Sequence, residues 1–267
     1  MLILLVLAIG ASVGSFINVA VDRLPNEMSI VRPRSFCDSC KRTLSNLDMV
    51  PVLSYIWLRG HCRHCKAGVP LRVFFTEVAT SLIFVVLYLI YGFGPGFFVI
   101  SAVVSLMLIV ALIDLEHGLI LNRVIYPAIV ALLLLAPFWQ ELGIPREFFG
   151  VAGLLGSFLN SLAAGFGAFL IFLVIFLVYP RGMGGGDPKL AGAVGLFTGY
   201  PGVLLALWIA VVAGGILAIG LLALRKRGRK DAIPFGPFLA ISAIIAFAGG
   251  SEILARYTEI SANLIGP

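Results

Sequence analysis

The sequence predicts an all-α polytopic membrane protein of about eight transmembrane helices. A small cytoplasmic zinc-ribbon-like domain is inserted between helices 1 and 2. Three observations carry this reading. The 267-residue chain is 60% hydrophobic and only 12% charged, with a mean hydropathy of +1.08, whereas soluble domains carry about 25% charged residues. Apolar runs of about 20 residues, the length a helix needs to cross a bilayer, recur from end to end. The one sizeable polar stretch, residues 22–73, holds all four cysteines. A β-barrel would instead show short strands of alternating polarity, and none is visible.

The apolar segments fall at roughly 2–20, 74–92, 97–113, 124–139, 151–178, 189–199, 202–224 and 235–255. The first lacks a basic leading region and a clear small-residue cleavage site, so it is expected to be a retained helix rather than a removed signal peptide. The fifth is long enough to tilt. The sixth is short: at 1.5 Å per residue it crosses only about half of a 30 Å core. It is either a half-helix or a helix extended back through the glycines before it. The expected domains are a first transmembrane helix over 1–21, a four-cysteine zinc domain over 22–73 linked to methyl transfer, and a membrane peptidase domain over 74–267.

Charge orients these segments. Of 19 Lys and Arg, nine lie between Asp22 and Arg72 and five lie between Arg225 and Lys230. Arg123, Arg181 and Lys189 fall on the same side of an eight-segment topology, and only Arg146 and Arg256 fall opposite. The positive-inside rule places the basic side in the cytoplasm. Asp114 and Asp187 then lie near that face. The net charge of +6 is accounted for by this asymmetry. The basic residues flank spans and no nucleic-acid module is recognisable, so no nucleic-acid partner is expected; membrane lipids are.

The cysteines form two C-x-x-C pairs, Cys37-Asp38-Ser39-Cys40 and Cys62-Arg63-His64-Cys65, separated by 21 residues. Such pairs bring four thiolates around one tetrahedral ion at a spacing close to that of zinc ribbons. A segment of about 50 residues with few large apolar side chains needs a staple, and zinc supplies one in a reducing cytosol. The expected ligands are Cys37, Cys40, Cys62 and Cys65, in a structural role, because four thiolates leave no open position for water. Redox-active pairs or disulfides are the other reading. His61 and His64 lie beside the second pair and could replace a thiolate or be solvated neighbours.

Two acids stand at the ends of apolar segments: Asp114, in Ile113-Asp114-Leu115-Glu116-His117, and Asp187, in Gly184-Gly185-Gly186-Asp187-Pro188-Lys189. An ionisable residue at membrane depth points to function. Two together suggest a carboxylate pair that shares a proton and titrates as a unit, one polarising a carbonyl while the other takes a proton from water. Glycines allow close backbone approach, so Gly184, Gly185 and Gly186 are expected to meet an extended peptide. Irregular backbone at this depth is allowed where it lines a watery cavity. Pro188 suits the first position of the next helix. A solvated aspartate capping a loop-to-helix junction would leave the same local pattern.

These residues carry a resemblance. The chain resembles the bifunctional prepilin peptidases, GxGD membrane aspartic peptidases, over nearly its whole length. Gly14-Ser15-Phe16-Ile17-Asn18-Val19 with Arg23-Leu24-Pro25 is similar to the family's N-terminal signature. The C-x-x-C pairs, Pro70-Leu71-Arg72 with Glu77, Asp114-Leu115-Glu116-His117 and Gly182 to Leu190 follow in the family's order. The chain departs at Leu121-Asn122, where the family often has Pro-Asp, and at Pro188, often aromatic or aliphatic there.

The resemblance implies catalytic Asp114 and Asp187. It implies substrates that are type IV prepilins or type II secretion pseudopilins, cut at the cytoplasmic face of the bacterial inner membrane after a glycine. It also implies S-adenosylmethionine-dependent N-methylation of the new terminus, usually phenylalanine. No Rossmann-type glycine turn is present; Asn18, Arg23 and Glu77 are the candidates for that second reaction, against structural roles for each. Family substrates carry a glutamate just past the cut, and Lys189 is the candidate to receive it. A transporter coupled through the two aspartates is the reading from another class, and a non-catalytic scaffold built on the zinc domain is a third. A peptidase without methylation remains the nearest alternative.

Overall fold

The computed structural model describes residues 1–180, 183–224 and 234–249. Arg181, Gly182, Arg256 and the basic run Arg225 to Lys230 lie outside them. The described residues contain no strand, only helices and three isolated bridges. The helices are α1 (Leu2–Arg23), α2 (Leu53–Trp57), α3 (Leu71–Tyr91), α4 (Pro95–His117), α5 (Asn122–Leu135), α6 (Gly153–Val178), α7 (Asp187–Thr198), α8 (Gly202–Ala223) and α9 (Gly236–Gly249). Apart from α2, each falls on one of the apolar segments of the sequence. Five of them, α1, α3, α4, α6 and α8, are long and apolar enough to cross a membrane.

The chain divides into two compact units, Met1–Ser105 and Leu106–Pro267. In the first, α1 packs along α3 at the closest distance backbones allow. A Cβ on Gly10 would stand 2.7 Å from the Ser81 Cα, and one on Gly14 would stand 2.7 Å from the Glu77 Cα. Gly10 and Gly14 are thus the small-xxx-small seam by which membrane helices associate. The Ser81 hydroxyl donates across it to the Leu7 carbonyl at 3.1 Å. Between these helices lies the cysteine segment, where tight turns are closed by the bridges Phe36–Thr43 and His61–Gly68.

In the second unit the short α7 is the centre. Ten of its twelve residues are buried, so it is enclosed by protein rather than lipid, and its length of about 18 Å is no defect. It lies against α6: a Cβ on Gly195 would be 2.4 Å from the Ala164 carbonyl oxygen. Trp139, Phe197 and Phe247 close its C-terminal end as a ring cluster, with Phe197 stacked on Phe247 at 4.1 Å. Gly199, at φ +65°, ends the helix in the left-handed region. The helix begins one residue earlier than the sequence suggests: Gly186 is its cap, Asp187 its first residue and Pro188 its second.

Candidate active site

Asp114 and Asp187 both belong to the second unit and are both buried, each 5% exposed. Asp114 sits in the last turn of α4. Its Oδ2 accepts the backbone N–H of Gly236, the first residue of α9, at 2.8 Å. That contact requires glycine, since a Cβ at 236 would stand 2.6 Å from the same oxygen. Asp187 opens α7, where the positive end of a helix dipole suits a carboxylate. Its Oδ2 accepts the Gly184 N–H at 2.9 Å, while its own N–H returns to the Gly184 carbonyl at 3.1 Å. Ile120, three residues beyond α4, packs on Gly186, the residue before Asp187, so the ends of α4 and α7 that carry the two acids lie together.

The glycine turn has two parts. Gly186 is held against Ile120, whose Cβ would be 2.6 Å from an added Cβ. Gly184 and Gly185 are exposed, and added methyl groups there would meet only ordinary contacts, at 3.5 Å and 3.6 Å. Lys189, half-buried, donates to Asn122 Oδ1 at 2.8 Å and lies 5.0 Å above the Tyr126 ring. Glu116 and His117 are exposed.

The cysteine cluster belongs to the first unit. The sulfurs of Cys37, Cys40, Cys62 and Cys65 all lie within 4.8 Å of one another, and Cys37 and Cys65 are 3.7 Å apart. Four thiolates at about 2.3 Å from a tetrahedral zinc are about 3.8 Å apart, so the residues fit the ion. The turns also favour thiolates: the backbone N–H groups of Cys40 and Ser39 lower Cys37, and those of Cys65 and His64 draw Cys62 down to about 6. For Cys65 the Ala67 N–H acts downward. Desolvation and the crowding of Cys62, Cys37 and Cys40 outweigh it and push the thiol to about 11. Four thiolates together need a cation. The histidines are neighbours outside the cluster: His61 Nδ1 meets the Arg59 carbonyl at 2.6 Å, and His64 Nδ1 lies 3.5 Å from Arg42.

Asn18, Arg23 and Glu77 line one cavity of about 570 Å³ in the same unit, whose walls also include Cys37 and Cys62 of the cysteine turns. Arg23 donates to the Ser29 carbonyl at 3.0 Å. The Glu77 carboxylate accepts the Val52 N–H at 2.6 Å.

Sequence comparisons agree with this division. The bacterial peptidase A24 N-terminal domain matches residues 8–91, and the type IV leader peptidase family matches residues 101–219. A Bacillus subtilis protein named prepilin leader peptidase/N-methyltransferase is 30% identical, covering 94% of this chain and 96% of the relative. The chain belongs to this family. Prepilin leader peptidase/N-methyltransferases of Aeromonas hydrophila and Pseudomonas aeruginosa are also 30% identical, over 95% and 97% of the chain and 92% and 94% of their own lengths. No solved structure matches.

Two residues that shape this candidate site were not singled out from the sequence. Gly236 is one; its signal is a glycine between prolines, Pro234-Phe235-Gly236-Pro237, at the start of an apolar segment. Arg146 is the other. It reads as a lone outer-loop cation, yet it is only 4% exposed and donates to Ser161 Oγ at 2.7 Å and to the Leu196 and Phe197 carbonyls that end α7. A single arginine beside Trp139, over whose ring it lies at 4.6 Å, was the available hint.

Proposed function

We propose that this protein is a membrane aspartic endopeptidase and N-methyltransferase acting on type IV prepilins or type II secretion pseudopilins. The burial of Asp114 and Asp187 at helix ends joined by the Ile120–Gly186 contact is the observation that carries the peptidase. One carboxyl, protonated, donates to the scissile carbonyl oxygen. The other takes a proton from water as the water oxygen bonds to the carbonyl carbon. Collapse of that adduct breaks the C–N bond, the leaving nitrogen takes a proton, and the products are a leader carboxylate and a new N-terminal amine. Gly184 and Gly185, whose lack of side chains serves no internal packing, offer backbone for an extended substrate to approach.

Zinc at Cys37, Cys40, Cys62 and Cys65 staples the cysteine domain, and the site fits it as a structural ion. S-adenosylmethionine supplies the methyl group for the second reaction, which belongs to the N-terminal unit. Its cavity has a volume in the range of small-molecule sites, with Asn18, Arg23 and Glu77 in its walls. The full topology has eight spans in the bacterial inner membrane with both acids toward the cytoplasm, and the concentration of Lys and Arg in 22–73 and 225–230 supports that orientation. Lys189, faced by the neutral Asn122 amide rather than an acid, is free in charge to receive the substrate glutamate.

The deciding experiment incubates purified enzyme with a prepilin and measures leader-free product. Asp114→Asn and Asp187→Asn should each abolish cleavage while the protein keeps its metal and helix content, because neither half of a shared-proton pair works alone. A variant that cleaves within about tenfold of wild type, under about 1.4 kcal/mol of barrier, would remove that residue from the mechanism.

A further inference from the structure

The cavity of the N-terminal unit has an unbalanced set of polar groups. Asn18 is 4% exposed; its Nδ2 donates to the Gly14 and Val73 carbonyls, both at 3.2 Å, while its Oδ1 is buried with no hydrogen-bond partner. A buried acceptor left open is costly, so this oxygen marks a place where a donor belongs. Glu77, in the second turn of α3, faces the same cavity and is also 4% exposed.

Charge makes the donor's nature specific. Two other acids of this wall are matched to cations: Asp48 to Arg63 at 2.7 Å and Asp22 to Arg72 at 2.6 Å. The Glu77 carboxylate instead accepts from two neutral donors, the Val52 N–H and Ser15. A carboxylate has about four acceptor sites, so capacity and charge remain. Val52 itself is held at φ +63°, a region costly for a β-branched residue, and Glu77 is the group that receives its N–H. The acid is therefore fixed in place by the backbone it anchors, with its charge directed at a cavity large enough for a small molecule.

We infer that this cavity receives the free N-terminal ammonium of the cleaved product, with Asn18 Oδ1 and the Glu77 carboxylate as its two acceptors. An α-amino group has its ordinary value near 7.7–8.0 and enters as a cation carrying three donors. It supplies what the orphaned amide oxygen lacks and balances the unmatched carboxylate. This rests on the methyltransferase reading, for which it names the subsite that holds the amine; the ammonium gives one proton to the Glu77 carboxylate before its nitrogen lone pair can take the methyl group.

Phenylalanine amide and its N-acetylated form, titrated by calorimetry into the full-length enzyme in detergent, test the inference. The free amine should bind at least about tenfold more tightly than the acetylated compound. Glu77→Gln keeps an acceptor for the Val52 N–H but removes the charge, and should weaken the amine by about tenfold or more without changing the acetylated compound. Asn18→Ala should weaken the amine in the same selective way, and it decides the matter if Glu77→Gln loses its bound metal or its cooperative melting. Equal binding of the two compounds by wild type, or amine binding by both variants at the wild-type level, overturns the site. Methylation of a prepilin, followed in parallel, separates the two readings. Wild type that discriminates the amine but transfers no methyl group refutes the methyltransferase and leaves the site; wild type that methylates without discriminating the amine refutes the site alone.

Discussion

At residue scale, each acid is oriented by one backbone N–H and one glycine. Gly236→Ala should therefore disable cleavage without touching an acid: the new Cβ would stand 2.6 Å from Asp114 Oδ2, displacing the carboxyl from the N–H that holds it. Leader removal should fall by at least about tenfold, about 1.4 kcal/mol of barrier, with helix content unchanged. Wild-type cleavage by the alanine variant would show that the Gly236 contact is not required. Lys189 gives a second expectation. Crossing Lys189→Gln with a substrate whose glutamate is changed to glutamine should show coupling above about 0.5 kcal/mol in kcat/KM, and simple additivity would exclude the pair.

What was legible at this scale was chemistry rather than contact. Asp114 and Asp187 stand out because carboxylates at such depth are rare, and the four cysteines because their spacing matches a tetrahedral ion. Gly236 and Arg146 did not, since a lone glycine or arginine acquires its meaning from a partner distant in sequence. Asp114 meets Gly236 across 122 positions and Arg146 reaches Leu196 across 50.

At the scale of elements, α7 shows why a short apolar segment was ambiguous. Hydropathy reports that it is buried but not whether lipid or protein buries it. Here α6 covers it through Gly165, Gly192 and Gly195, and Arg146 fixes its far end. A cation at a helix C-terminus is favourable, and bonds from a charged donor contribute about 1.5–3 kcal/mol each. Arg146→Leu should thus lower the melting temperature of the purified enzyme. It should also reduce cleavage, because the helix it anchors carries Asp187 at the other end. Unchanged melting would show that packing alone seats α7.

At the scale of the molecule, the cysteine cluster and the cavity lie in one unit and the acid pair in the other. Composition separates polar 22–73 from the apolar remainder, whereas packing joins α1 and α3 to the cysteine segment, because Gly10 and Gly14 bind the helices on either side of it. Changing Cys37 and Cys40 together to serine tests whether the division is functional. Two ligands lost should release the ion, and since binding energy in such a site is folding energy, the 22–73 segment should loosen. The wall of the cavity runs through that segment, so methylation should be lost. The acid pair takes its hydrogen bonds from Gly236 and Gly184, both outside the segment, so measurable cleavage should survive. Metal analysis of wild type gives the first check, about one zinc per chain. Loss of cleavage to the same extent as methylation would show that the cysteine domain is also required to build or present the peptidase site.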